Sequence, residues 1–254
     1  MGSSDEPTGE ARARLSRRRL LAAGALLSAA PLGVAAETIT GVGPPWAPNT
    51  AAYPQAADAA NRYNFFSGAE AAFVEAAAAR MIPKDELGPG ALEAGVPIFI
   101  DRQLAGDFGK ASSWYMQGPW DPGLPTQGYQ SRYTPAQMYR AAIAAIDKAT
   151  QNASNNAFAR LGGDDQDAFL KRLASGDQQL EGVDSKAYFK LLLQNVMEGF
   201  FSDPLYGGNR DMAGWKLIGF PGARYDMSAY VKQYGKPYPL PPVGITGRPA
   251  WTRS

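Results

Sequence analysis

Asp203, Arg210 and Asp211 fall within one short stretch, GFFSDPLYGGNRDMAGWKLIGFPGARYD, residues 199–226. Two carboxylates and a guanidinium so close together could act as acid, base and anion clamp. Between them, Tyr206, Gly207, Gly208, Asn209 and Arg210 could form an anion nest, because consecutive glycines let backbone N–H groups converge. The glycine spacing matches neither a phosphate-binding loop nor a dinucleotide fingerprint, and no strand signal precedes it. The remaining carboxylates of interest, Asp101, Asp107 and Asp121, are scattered, and their ordinary role is to cap helices and to meet nearby cations. Ordering a segment that holds Gly199, Gly207, Gly208, Gly214, Gly219 and Gly222 is entropically unfavourable. Something must therefore hold it, as a catalytic loop, an anion-binding loop or a surface shaped for another protein.

Composition narrows the chemistry. The 254 residues include no Cys and no His. That excludes disulfides, thiolate-bound zinc, cysteine-ligated iron–sulfur clusters, histidine-bound haem and every catalytic triad or dyad built on His or Cys. Arg12, Arg14, Arg17, Arg18 and Arg19 form a basic block, followed by an apolar run from Leu20 to Val34 and the small residues Ala35 and Ala36. This is the pattern of a secretory signal over residues 1–36, and the pair Arg17-Arg18 fits the twin-arginine type, which exports folded proteins. The apolar run is shorter than the roughly 18 residues a membrane span needs. Without residues 1–36 the net charge is −1, a balance that argues against a nucleic-acid partner.

The elements that would position the stretch are helical. Residues 37–66 read as an extended Pro-rich arm, with Pro44, Pro45, Pro48 and Pro54. Ser67 and Glu70 have capping-box spacing, and Phe73, Val74, Ala77 and Met81 follow at helical period until Pro83. Leu92, Val96, Phe99, Ile100 and Leu104 share one face of the next segment, in which Pro97 marks a kink or a helix start. Residues 110–133 form an aromatic, Pro/Gly-rich connector. Thr134, Pro135 and Gln137 open a helix expected to reach about Gln151 and to bury Met138, Ala142, Ile143 and Ile146. A short helix is expected over 165–174, and a long one over 185–201 with Tyr188, Leu191, Leu192, Val196 and Phe200 buried. No run alternates as a strand would. The expectation is an all-α fold: a single compact helical domain of about five helices over 67–224, with long irregular arms at both ends.

Outside the helices, aromatic residues collect with Arg and Pro. Trp114, Trp120, Trp215, Phe220, Tyr225, Tyr230, Tyr234 and Tyr238, with Phe200 and Phe201 at the end of the long helix, could line a substrate pocket, but together they have the composition of an interface centre. The tail, residues 225–254, is extended by Pro237, Pro239, Pro241 and Pro242 and is expected to be ordered only against something else. Physical reading alone thus favours an exported helical subunit over an enzyme.

The run from Gly199 to Asp211, continued from Gly214 to Ala223, closely resembles the signature of the gluconate 2-dehydrogenase subunit 3 family. Ala79 to Pro83, Phe99 to Leu104 and Tyr133 to Pro135 add further matches. The resemblance implies the non-catalytic small, or gamma, subunit of a membrane-associated flavin-dependent dehydrogenase. Its partners would be a FAD-containing large subunit of the glucose-methanol-choline type and a c-type cytochrome subunit carrying haem c, which passes electrons to quinone. The chain itself would hold no cofactor. It would be periplasmic, bound to the inner membrane through its complex, and would carry the flavoprotein through the twin-arginine route on Arg17 and Arg18. The glycine-rich stretch would then dock the flavoprotein, with Tyr206, Arg210 and Trp215 as anchors and Gly207, Gly208, Asn209, Asp211, Lys216, Phe220, Tyr230, Tyr234 and Tyr238 around them. The competing expectation is a stand-alone exported sugar-binding protein or enzyme using Asp203, Arg210 and Asp211.

Overall fold

The computed structural model describes residues 63–245 except 122, 125, 225 and 226. The signal with Arg17 and Arg18, the arm up to residue 62 and the tail beyond 245 lie outside the described residues. Within them the protein is all-α: α1 (Gly68–Met81), α2 (Val96–Ala105), α3 (Asp107–Lys110), α4 (Pro135–Ser154), α5 (Gly163–Ser175), α6 (Ser185–Phe201) and α7 (Ala213–Ile218). Five of these have ten residues or more, and no strand forms among the described residues.

The helix starts follow local chemistry. Ser67 Oγ accepts from Glu70 N–H while Glu70 Oε2 accepts from Ser67 N–H, a complete capping box. Thr134 and Gln137 repeat it at α4. Pro97 sits in the first turn of α2, so the helix begins there instead of kinking, because proline has no N–H to lose at that position. Leu92 consequently falls outside the helix and is exposed, not part of the buried face. Helix α4 runs past Gln151 to Ser154, because the chain first turns left-handed at Asn155, whose N–H closes on Gln151 O. Helix α6 spans the expected residues, and its expected stripe is buried throughout.

Helix α6 packs against α1, α2, α4, α5 and α7. Phe73, Phe158, Tyr139 and Tyr188 meet at its flank with ring centroids 5.0 to 6.4 Å apart. Tyr139 and Tyr188 are wholly buried, and that burial pushes both phenols above their ordinary pKa. Asn195 Nδ2 donates to Tyr139 Oη at 3.0 Å and gives that hydroxyl a partner inside the core.

One carboxylate joins α2 to the start of α1. Asp101 is fully buried, and its two oxygens accept from the backbone N–H groups of Asn64, Phe65 and Phe66 at 2.7, 2.9 and 2.9 Å. The chain's approach to α1 is thereby fixed from a helix 35 to 37 residues further on.

Candidate functional site

After α6 ends at Phe201, Asp203 caps a tight turn, Pro204–Tyr206, by accepting from Leu205 N–H at 2.9 Å. A second turn, Arg210–Met212, leads into α7. Asn209 lies between the turns, wholly buried and left-handed at φ 46°, a conformation in which a short polar side chain is tolerated. Its Nδ2 donates to Ser202 O and its Oδ1 accepts from Gly214 N–H, both at 2.8 Å. One side chain thus ties the end of α6 to the beginning of α7. Arg210 N–H donates to Ala94 O at 2.9 Å, which pins the same turn to the approach to α2.

The glycines serve close packing. A Cβ on Gly208 would lie 2.1 Å from Gly199 O, and one on Gly214 would lie 2.2 Å from Phe200 O. Neither carbonyl can yield without unwinding the last turn of α6. The stretch is therefore held by this chain's own backbone.

Trp215 is part of that arrangement. It is 5% exposed, its indole N–H donates to Phe201 O at 2.7 Å, and its ring meets Phe220 edge-on at 5.2 Å. Met212 packs with it as a small core of its own. Gly207, Gly208 and Asn209 are buried too. The expectation that Trp215 anchors a partner, with these three beside it, is corrected: all four face inward and are covered. The outer side consists of Tyr206, Asp211, Lys216 and Phe220, all exposed, with Arg210 half-buried. Leu217 and Ile218 join them, the latter 60% exposed, and were missed in the sequence. Their signal was two adjacent large aliphatic residues followed by Gly219, outside any amphipathic stripe.

The tail is ordered against this same region. Ala223 N–H donates to Val243 O at 2.7 Å, Arg224 Nη2 to Pro241 O at 2.6 Å, and Ile245 N–H to Asp203 Oδ2 at 2.6 Å. Arg224 also lies over the Tyr238 ring, which meets Tyr230 edge-on at 4.8 Å. The prolines do keep the segment extended, yet it closes on its own chain. Tyr230 and Tyr238 are half-covered by this contact, and Tyr234 stands 85% exposed.

The three residues of the enzymatic alternative are not brought to one cavity. Arg210 lines a space of about 330 Å³ with Tyr63, Glu75, Leu92, Pro97 and Ile98, and neither Asp203 nor Asp211 borders it. Both Asp203 oxygens are occupied by backbone N–H groups. In the cavity Tyr63 Oη donates to Glu75 Oε1 at 2.5 Å. Burial first, and then the adjoining Glu75 carboxylate, raise the Tyr63 pKa, so it stays a protonated donor. Among the described residues no group of three acidic residues is placed to hold a metal ion, and no helix is long and apolar enough to cross a membrane.

Residues 68–222 match the family model described as Gluconate 2-dehydrogenase subunit 3. Neither a curated protein nor a solved structure matches the chain.

Proposed function

Because the chain belongs to the gluconate 2-dehydrogenase subunit 3 family, we propose that it is the non-catalytic small subunit of a dehydrogenase complex and docks a FAD-containing large subunit through the outer side of the 199–224 turn. The observation that carries this reading is the contrast between the two sides of that turn. Its inner side is clamped by Asn209, Gly208, Gly214 and Trp215, while its outer side leaves Tyr206, Leu217, Ile218 and Phe220 uncovered. A surface already held in one conformation pays little ordering entropy on binding. Exposed large apolar residues grouped between charged ones, here Asp211 and Lys216, are characteristic of association surfaces.

In this reading the redox chemistry belongs to the partners: FAD in a large subunit of the glucose-methanol-choline type, and haem c in a cytochrome subunit that delivers electrons to quinone. Membrane association is borrowed from the complex. Co-expression with the flavoprotein of a neighbouring reading frame tests the docking surface. The double variant Leu217→Asp, Ile218→Asp should weaken binding at least tenfold, about 1.4 kcal/mol, while circular dichroism shows unchanged helicity. Equal affinity in the variant would remove α7 from the interface.

Export is the second part of the proposal. The twin-arginine pair Arg17-Arg18 would carry both this chain and the flavoprotein to the periplasm as folded cargo. Replacing both with Lys should leave the two proteins together in the cytoplasm, as fractionation and immunoblotting would show. Flavoprotein that still reached the periplasm would refute shared export.

A further inference from the structure

A cavity of about 610 Å³ opens between the start of α1, the last turns of α4 and the turn that follows α4. It shares no residue with the space beside Arg210 or with the 199–224 turn. Ala72, Phe73 and Ala157 give it apolar wall, and Asp147, Gln151, Asn155, Asn156 and Arg160 line it with polar groups. These groups satisfy one another only in part. Gln151 Nε2 donates to Asn155 Oδ1 at 2.8 Å, and Asn156 Nδ2 donates to Ser154 O at 3.0 Å. Among the described residues nothing donates to Gln151 Oε1 or Asn156 Oδ1, and nothing accepts from Asn155 Nδ2 or the Arg160 guanidinium. The Gly68 and Ala69 N–H groups in the first turn of α1 are unused as well, since Ser67 serves Glu70 and Ala71. Asp147 is the most enclosed of the polar lining residues. It is half-buried, and burial raises its pKa although the Phe158 N–H donates to its carboxylate. Near it lies the Tyr188 hydroxyl, wholly buried and without a hydrogen-bond partner among the described residues; burial, then Tyr139, then Asp147 raise its pKa.

We propose that this cavity is a binding site for a small, neutral, polyhydroxylated molecule. A hydroxyl both donates and accepts. A chain or ring of hydroxyls therefore meets the open acceptors on Asp147, Gln151 and Asn156 and the open donors on Asn155, Arg160 and α1 in a single pose. An inorganic anion only accepts and would have the Asp147 carboxylate facing it. An organic cation only donates and would face Arg160. Charge points the same way. Asp147 and Arg160, the two charged residues in the lining, are opposite in sign, and the neighbouring Glu70 and Lys148 are already paired with Arg140 and Glu181. Glu70 also offsets the positive end of α1, which it shares a turn with. A peptide strand carries its donors and acceptors along two edges, with its side chains between them, whereas the open groups here surround one space from three segments. The volume falls among those of clefts for small ligands, roughly 300–1,000 Å³. The site is separate from α7 and does not depend on the reading given to α7.

Amide NMR of the isotope-labelled full chain, titrated with mannitol, myo-inositol and trehalose, tests the proposal with an open-chain, a cyclic and a two-ring probe. At least one of them should shift the amides of Gly68, Ala69, Asn155 and Asn156 in a saturable way. The double variant Gln151→Ala, Arg160→Ala should weaken that binding at least about tenfold. Its thermal midpoint should stay in place, because the only side-chain bond lost is the exposed one from Gln151 to Asn155. Inorganic phosphate and ethylammonium should leave the same amides where they are. Saturable shifts with phosphate or ethylammonium alone would overturn the proposal, as would no saturable shift with any of the three probes. Shifts confined to other parts of the chain, or an affinity indifferent to the double variant, would overturn it too.

Discussion

Trp215→Ala should lower the unfolding free energy by about 3–5 kcal/mol, the range for removing a large aromatic side chain from a packed interior. Three losses combine. The indole no longer fills the space between Met212 and Phe220, Phe201 O loses the donor that closes the end of α6, and α7 loses its only large inward side chain. Trp215→Phe keeps most of the ring but not the N–H, and should cost about 1–2 kcal/mol, one buried hydrogen bond with slight repacking. Urea denaturation followed by far-ultraviolet circular dichroism would measure both. A midpoint unmoved by Trp215→Ala would mean that the indole contributes nothing to the fold. The effect is expected in the isolated subunit, with no partner present, which distinguishes it from the surface variants at Leu217 and Ile218.

Asp101→Asn should be nearly as damaging, at about 3 kcal/mol or more. The carboxylate accepts three backbone N–H groups with two oxygens. The carboxamide has one oxygen, and its NH₂ would confront a donor with another donor. At least one buried N–H is left unpaired, at about 1–3 kcal/mol, and the stronger hydrogen bonds to a charged acceptor are lost as well. Thermal denaturation gives the magnitude. Hydrogen exchange gives the location: the amides of Asn64, Phe65 and Phe66 should lose protection before those of α6. Uniform loss of protection across the chain would show that Asp101 supports the whole core and not specifically the approach to α1.

The difference between what was legible in the sequence and what was not follows from the range of the interactions. Ser67 with Glu70, Thr134 with Gln137, and Pro97 act within one helical turn, so their spacing announces them. The stripe of α6 repeats at the helical period and needs no knowledge of what covers it. Asp101 acts across 35 to 37 residues; in the sequence it is an acidic residue like Asp107 or Asp121, and only its place among Ile98, Ile100 and Leu104 hints at burial. Helix α7 has six residues and no side-chain cap, and it starts from the left-handed Met212. Neither period nor propensity could reveal it, because it is held by bonds that reach beyond one helical turn, from Gly214 N–H to Asn209 Oδ1 and from the Trp215 indole to Phe201 O. The stretch was therefore singled out in the sequence, and the orientation of Trp215 within it was misread. Aromatic residues among glycines suggested a surface, whereas the close backbone approach that glycine permits turned Trp215 inward and brought Leu217 and Ile218 out.

The bond between Asp203 and Ile245 spans 42 positions, and its donor follows all seven helices in the chain. A ribosome releases the chain from its N-terminus, so α1 to α7 can all be complete while Val243 and Ile245 are still unmade. During that interval the turn beneath α7 has Asn209 in place, but neither the backbone bonds to Val243 nor the second donor on Asp203. Closure of the clasp thus waits until Val243 and Ile245 have been made. A message truncated after codon 240 would yield a protein with α1 to α7 and an unlatched turn, similar in helical content to the longer chain but open to proteases at the junction that residues 241–245 cover.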